Sequence, residues 1–124
     1  MKAGVITIIF TLAILAVGVM FISHQGKPVE ADEAVHSLAA CLTENNAVMY
    51  GAYTCPHCRN QKAMFGDAVD EINYVECTQE SKRCAEANID SVPTWTFADG
   101  TRLLGEQSLE QLAQKAGCEY KSGN

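Results

Sequence analysis

Cys55 and Cys58 stand either side of Pro56 and His57 in the stretch AYTCPHCRNQK, residues 52–62. A pair at that spacing can open and close a disulfide, supply half of a metal site, or form a fixed structural bond. Disulfide exchange needs one reachable sulfur that ionises, because the thiolate is the nucleophile, and a second sulfur near enough to displace the partner. His57 is the residue type that carries charge near neutral pH, and as a cation it favours a neighbouring thiolate. Zinc sites built from Cys-x-x-Cys normally draw on a second close pair. Here the next cysteines are Cys77 and Cys84, too far apart for that pattern, and His24 and His36 precede the segment. We therefore assign no metal ligand and no cofactor. A copper role for Cys55, Cys58 and His57, or a fixed Cys55–Cys58 bond, stands as the alternative use of these residues.

The elements around the pair decide how the sulfurs are presented. AVMYGAY, residues 47–53, is a short continuous apolar run, which suits a strand buried on both faces. Pro56 fits the first position of a helix running to about Ile72. Cys55 is then the N-cap, its sulfur facing free backbone N–H groups and the positive end of the helix dipole, both of which favour a thiolate. Cys58 lies one turn in and shares heptad spacing with Phe65 and Ile72, so it points to the core. The expected arrangement is an exposed attacking sulfur and a shielded resolving one. Upstream, residues 31–46 carry Val35, Leu38, Cys41 and Leu42 at helical spacing. Downstream, INYVEC reads as a strand and SKRCAEAN as a short helix. PTWTF and TRLLG flank the hairpin signal Asp99-Gly100. SLEQLAQKAG opens on a Ser cap and closes on a Gly. The order α, β, α, β, α, β, β, α implies an α/β fold with a mixed sheet and helices on both faces.

With 124 residues the chain is sized for one folded domain. Residues 3–22, AGVITIIFTLAILAVGVMFI, carry no charge. Twenty such residues in a helix reach roughly 30 Å, the thickness of a bilayer core. We read residues 1–22 as a single-pass transmembrane anchor, 23–30 as a linker and 31–124 as the domain. A cleavable signal peptide is the rival, but its apolar core is usually shorter and ends at a small-residue site that is not evident here. Lys2 and the amino terminus would stay in the cytoplasm, placing the domain outside it, at the inner or cell membrane facing the periplasm or exterior. Beyond Lys2 the chain has eight Lys or Arg against fifteen Asp or Glu. That balance argues against nucleic acid or an anionic membrane surface as a partner. Six cysteines in so short a chain suggest an oxidising compartment.

CPHC after a buried strand, together with SVPTW at residues 91–95, resembles the thioredoxin superfamily over about residues 31–118. The resemblance implies a thioredoxin-like fold in which Pro93 is cis and sits against the redox pair, and in which Val92 offers its backbone to a partner's extended chain. MYGAYTCPHCRNQKAMFG, YVEC, PTWTFADG and GEQSLEQLA are most similar to the thioredoxin-like domain associated with bacterial vitamin K epoxide reductase homologues. That subfamily implies an oxidoreductase that passes electrons from exported cysteine-containing proteins to a quinone-linked membrane enzyme. The chain's single apolar span means that such an enzyme would be a separate partner. Two positions depart from thioredoxins: Thr54 replaces the usual Trp, and Met49 stands where many relatives hold a buried acid that moves protons for the resolving cysteine. The Pro-His dipeptide is also that of a strong periplasmic oxidant of this superfamily. Oxidant and thioredoxin differ by roughly 150 mV, about 7 kcal/mol for two electrons.

Four cysteines remain. Cys77 ends a strand and Cys84 lies in the helix after it; Cys41 faces inward from the first helix and Cys118 follows the last. We expect Cys77–Cys84 and Cys41–Cys118 disulfides, worth about 2.5 and about 4.5 kcal/mol on a loop-entropy estimate. A relay role for Cys77–Cys84 is the alternative. The expectation for the whole is a membrane-tethered thiol–disulfide oxidoreductase, acting as an oxidant. A reductase or isomerase of the same fold, a copper-binding module and a non-redox scaffold are its alternatives.

Overall fold

The computed structural model describes residues 31–122. The anchor and linker expected over residues 1–30 lie outside the described residues. No helix among the described residues is long and apolar enough to cross a membrane.

Helix α1 spans Glu33–Glu44, and Asp32 caps it by accepting the Val35 N–H at 3.0 Å. Strand β1, Val48–Gly51, leads into α2, Pro56–Ala63. The long second helix expected from Pro56 to Ile72 is two pieces. α2 stops at Ala63, Gly66 takes a left-handed φ of 55°, and a 3-10 helix follows over Gly66–Glu71. A positive φ interrupts the α-helical ladder, and glycine adopts it at little steric cost. The break also turns Asp67 toward α1's entry, where it accepts the Ala31 N–H at 2.8 Å. Cys58, Phe65 and Ile72 therefore do not share one helix face, although all three join the same core.

Strand β2, Asn73–Glu76, is followed by α3, Ser81–Glu86, and by β3, Thr94–Thr96, and β4, Arg102–Leu104. Asp99 Oδ1 closes the β3–β4 hairpin by accepting from the Thr101 N–H and hydroxyl, at 2.9 and 2.6 Å. Helix α4, Leu109–Ala116, opens on a capping box between Ser108 and Gln111 and ends at left-handed Gly117.

The sheet order is β2-β1-β3-β4, with β1 and β2 parallel and the other pairs antiparallel. This mixed α/β arrangement fits a thioredoxin-like fold. Register puts Met49, Tyr74, Trp95 and Leu103 on one face. There they meet Leu38 and Leu42 of α1, Cys58 of α2, Phe65 and Leu112 of α4 in one core cluster. Trp95 is the centre of that core, its ring centroid 6.0 Å from that of Phe65. The opposite face carries Tyr50, Val75, Thr94 and Leu104. Val75 and Cys84 of α3 are buried outside the main cluster, and Leu104 is exposed. Among the described residues helical cover is therefore unequal, with α3 alone on that thinner side. Arg102 reaches across it and donates to the Ala87 and Asn88 carbonyls, both at 2.7 Å, which holds the C-terminal end of α3.

Two disulfides staple the domain. Cys41–Cys118 joins α1 to the residue after Gly117, and Cys77–Cys84 joins the end of β2 to α3.

Candidate active site

Cys55 is the N-cap of α2 and Pro56 its first residue. Proline suits that position because its missing N–H would be unpartnered there. The Cys55 N–H donates back to Ala52 O at 3.0 Å, which sets the turn between β1 and α2. Arg59 braces the same turn by donating to Tyr53 O at 3.0 Å. The Cys58 N–H donates to Cys55 Sγ at 3.2 Å, an interaction that strengthens when the acceptor is charged.

Both thiols are free, Cys55 half-buried and Cys58 buried at 1% exposure. Burial, reinforced by its hydrogen bond with Cys55, pushes the Cys58 thiol up to about 11, against the lowering effect of the Ala52 N–H. At neutral pH the second sulfur therefore holds its proton until reaction draws it off.

The Val92–Pro93 peptide is cis. The Val92 carbonyl lies 3.7 Å from Cys55 Sγ, so the loop before β3 faces the cap of α2. Thr94, itself buried, closes that loop by donating its hydroxyl to Ser91 O at 2.7 Å.

A second loop, residues 105–107, ties these parts together. The Gly105 N–H donates to Pro93 O at 2.8 Å. Gln61, fully buried on α2, donates to Gln107 O at 3.0 Å and accepts the Gln107 N–H at 2.7 Å. Between those anchors Glu106 meets His57, Oε2 to Nδ1 at 3.0 Å. The His57 side chain is 73% exposed, so the pair sits at the surface beside the cap.

The structure thus gathers Cys55, Pro56, His57, Cys58, Val92 and Pro93 at one end of the sheet. The disulfides Cys41–Cys118 and Cys77–Cys84 lie outside that group. Gln61 and Glu106 were not singled out from sequence. Gln61 carries one local signal, lying three residues beyond core-facing Cys58. Glu106 carries none, since its partner is 49 residues away. A depression of about 370 Å³ flanks the turn, lined by Ala52, Tyr53, Arg59, Lys62, Val69 and Tyr74 among others. Tyr53 stands 64% exposed at its edge.

No protein-family model matches the chain. The chain is similar to the thiol–disulfide oxidoreductase LTO1 of Arabidopsis thaliana, 42% identical over 97 residues that cover 71% of this chain and 26% of that protein. That relative is named for thiol–disulfide exchange. The chain spans about a quarter of its length.

Proposed function

We propose that this domain is a thiol–disulfide oxidoreductase whose redox couple is Cys55 and Cys58. One observation carries the reading: a half-buried sulfur at a helix N-cap accepts a backbone N–H at 3.2 Å, with a buried thiol one turn behind it. The Cys55 thiolate attacks a partner disulfide and forms a mixed disulfide, releasing one partner sulfur. Cys58 then attacks Cys55 Sγ, closing the Cys55–Cys58 bond and releasing the second partner sulfur. The reverse sequence oxidises a dithiol. Pro56 fixes the helix start, and His57 stands beside the cap, held there by Glu106 at 3.0 Å. The loop of Val92 and Pro93, facing the cap, offers the backbone along which an extended partner chain pairs.

The finer reading is a membrane-tethered oxidant facing the periplasm or exterior. It takes electrons from exported cysteine-containing proteins and delivers them to a separate quinone-linked partner of the vitamin K epoxide reductase type. Support comes from the apolar segment 3–22, from two disulfides outside the couple, and from the Pro-His dipeptide. A reductase or isomerase would use the same atoms with the opposite poise. Equilibration of the full chain in glutathione redox buffers measures that poise. A potential nearer the oxidant end of the range, about −120 mV, than the thioredoxin end, about −270 mV, is expected. A thioredoxin-like value would overturn the oxidant assignment. A copper carrier is the second reading; stoichiometric copper on the reduced chain, lost in Cys55→Ser, would favour it.

A further inference from the structure

Cys58 must lose its proton when it attacks, and its surroundings show where the proton can go. Gly51, Tyr74 and Glu76 project to the same face of the sheet, because Met49 pairs with Tyr74 and Gly51 with Glu76. That face is the one α2 covers. A Cβ on Gly51 would lie 3.0 Å from the Tyr74 hydroxyl and 3.4 Å from Cys58 Cβ. The hydroxyl and the cysteine thus flank the one spot that glycine leaves empty. Tyr74 donates that hydroxyl to Glu76 Oε2 at 2.7 Å. Glu76 Oε1 takes the Thr78 hydroxyl at 2.7 Å and N–H at 3.3 Å, which fixes the carboxylate.

We infer that Glu76, reached through the Tyr74 hydroxyl, takes the Cys58 proton when Cys58 attacks the mixed disulfide and passes it on to solvent, the same path running in reverse when Cys58 is released. A water admitted beside half-buried Tyr74 takes the Cys58 S–H proton as it gives one to the Tyr74 oxygen, and the Tyr74 proton passes to Glu76. The Cys58 electron pair forms the bond to Cys55 Sγ, and the partner leaves as a thiolate that takes a proton from solvent.

Among the described residues, the titratable groups that act on Cys58 are Cys55 and Glu76. Cys55 lies on its own helix, and Lys62 of the same helix sits over the Tyr74 ring at 4.3 Å. Tyr74 and Glu76 come from β2. Burial and the bond to Glu76 raise the Tyr74 phenol, so it relays a proton rather than ionising. Burial alone would raise the Glu76 carboxyl, but hydrogen bonds from Thr78 and Tyr74 outweigh it, and the group stays ionised at neutral pH. Met49, buried beneath β1's end of this face, offers no proton acceptor.

The inference rests on the exchange reading, and single-turnover kinetics separate the two. The reduced full-length chain is mixed with a peptide disulfide, quenched in acid and weighed, which resolves mixed-disulfide formation at Cys55 from closure by Cys58. Glu76→Gln and Tyr74→Phe should each slow closure about tenfold or more at pH 7 and leave formation within twofold. The deficit should shrink as pH rises, and added imidazole should restore closure in Glu76→Gln. Normal closure in both variants, or equal loss of formation and closure, overturns the relay. If the wild-type chain forms no mixed disulfide, the exchange reading itself fails.

Discussion

Replacing Gln61 with Ala tests whether the loop at residues 105–107 holds the site together. Gln61 is fully buried, and its amide makes both of the reciprocal bonds to the Gln107 backbone, at 2.7 and 3.0 Å. Each such bond contributes about 1 kcal/mol net, and stranding a buried polar partner costs about 1–3 kcal/mol more. Gln107 is half-buried, so water partly replaces the lost amide. The expected loss is about 2–4 kcal/mol, a large fraction of the roughly 5–15 kcal/mol that holds a domain folded. Denaturant unfolding of the oxidised chain measures it as a lower midpoint with an unchanged slope. Gln107→Ala is the control: it removes only the bonds that side chain makes to Leu104 O and Gly105 O and keeps the backbone pair to Gln61. It should cost under about 1 kcal/mol. Under conditions where Gln61→Ala stays folded, exchange should still be several-fold slower, because the loop also carries the Gly105 bond to Pro93 and the Glu106 contact with His57. A cost no greater than that of Gln107→Ala, with normal exchange, would refute the reasoning.

Three further expectations follow from particular groups. The Cys58 thiol is raised from 9.0 to about 11 by burial, so the reduced chain is most stable below about pH 9 and loses that increment as pH climbs through 11; unfolding of reduced Cys58→Ser should lack this alkaline drop. The Glu71 carboxylate 2.6 Å from His36 Nδ1, helped by Asp67, raises His36 above 6.5, so this contact between α1 and the 3-10 helix is full below that pH and fades as pH rises through the raised value; His36→Gln should flatten the slope in a pH–melting series. Removing Cys41–Cys118 as a double Ala variant should cost more than removing Cys77–Cys84, by about 2 kcal/mol on loop entropy, in matched denaturant titrations.

How far the sequence speaks depends on whether a signal is local. The cap position of Cys55 is legible because an apolar strand, a proline and a helix start coincide within residues 47–56. The α4 helix is legible for the same reason, its Ser108 cap and Gly117 stop both lying in the chain beside it. The break at Gly66 is harder: Phe65 and Ile72 keep helical spacing from Cys58, and only the left-handed φ reveals that the ladder stops. Contacts between distant segments leave no such mark. Gln61 and Gln107 are 46 residues apart and read separately as ordinary polar residues. Tyr74 and Glu76 read as alternate positions of one strand, and nothing local tells that their face looks at Cys58 rather than at α3. The unequal cover of the sheet is hidden likewise, since α3 is too short to announce which face it protects.

The central claim, that Cys55 attacks and Cys58 resolves, is tested most directly by intact-mass measurement of the Cys58→Ser chain after reaction with a defined peptide disulfide. The chain should retain one peptide per molecule, mapped to Cys55 and released by reductant, while the wild type passes through the adduct and ends with Cys55 and Cys58 joined. No adduct, or an adduct carried on another cysteine, would contradict it.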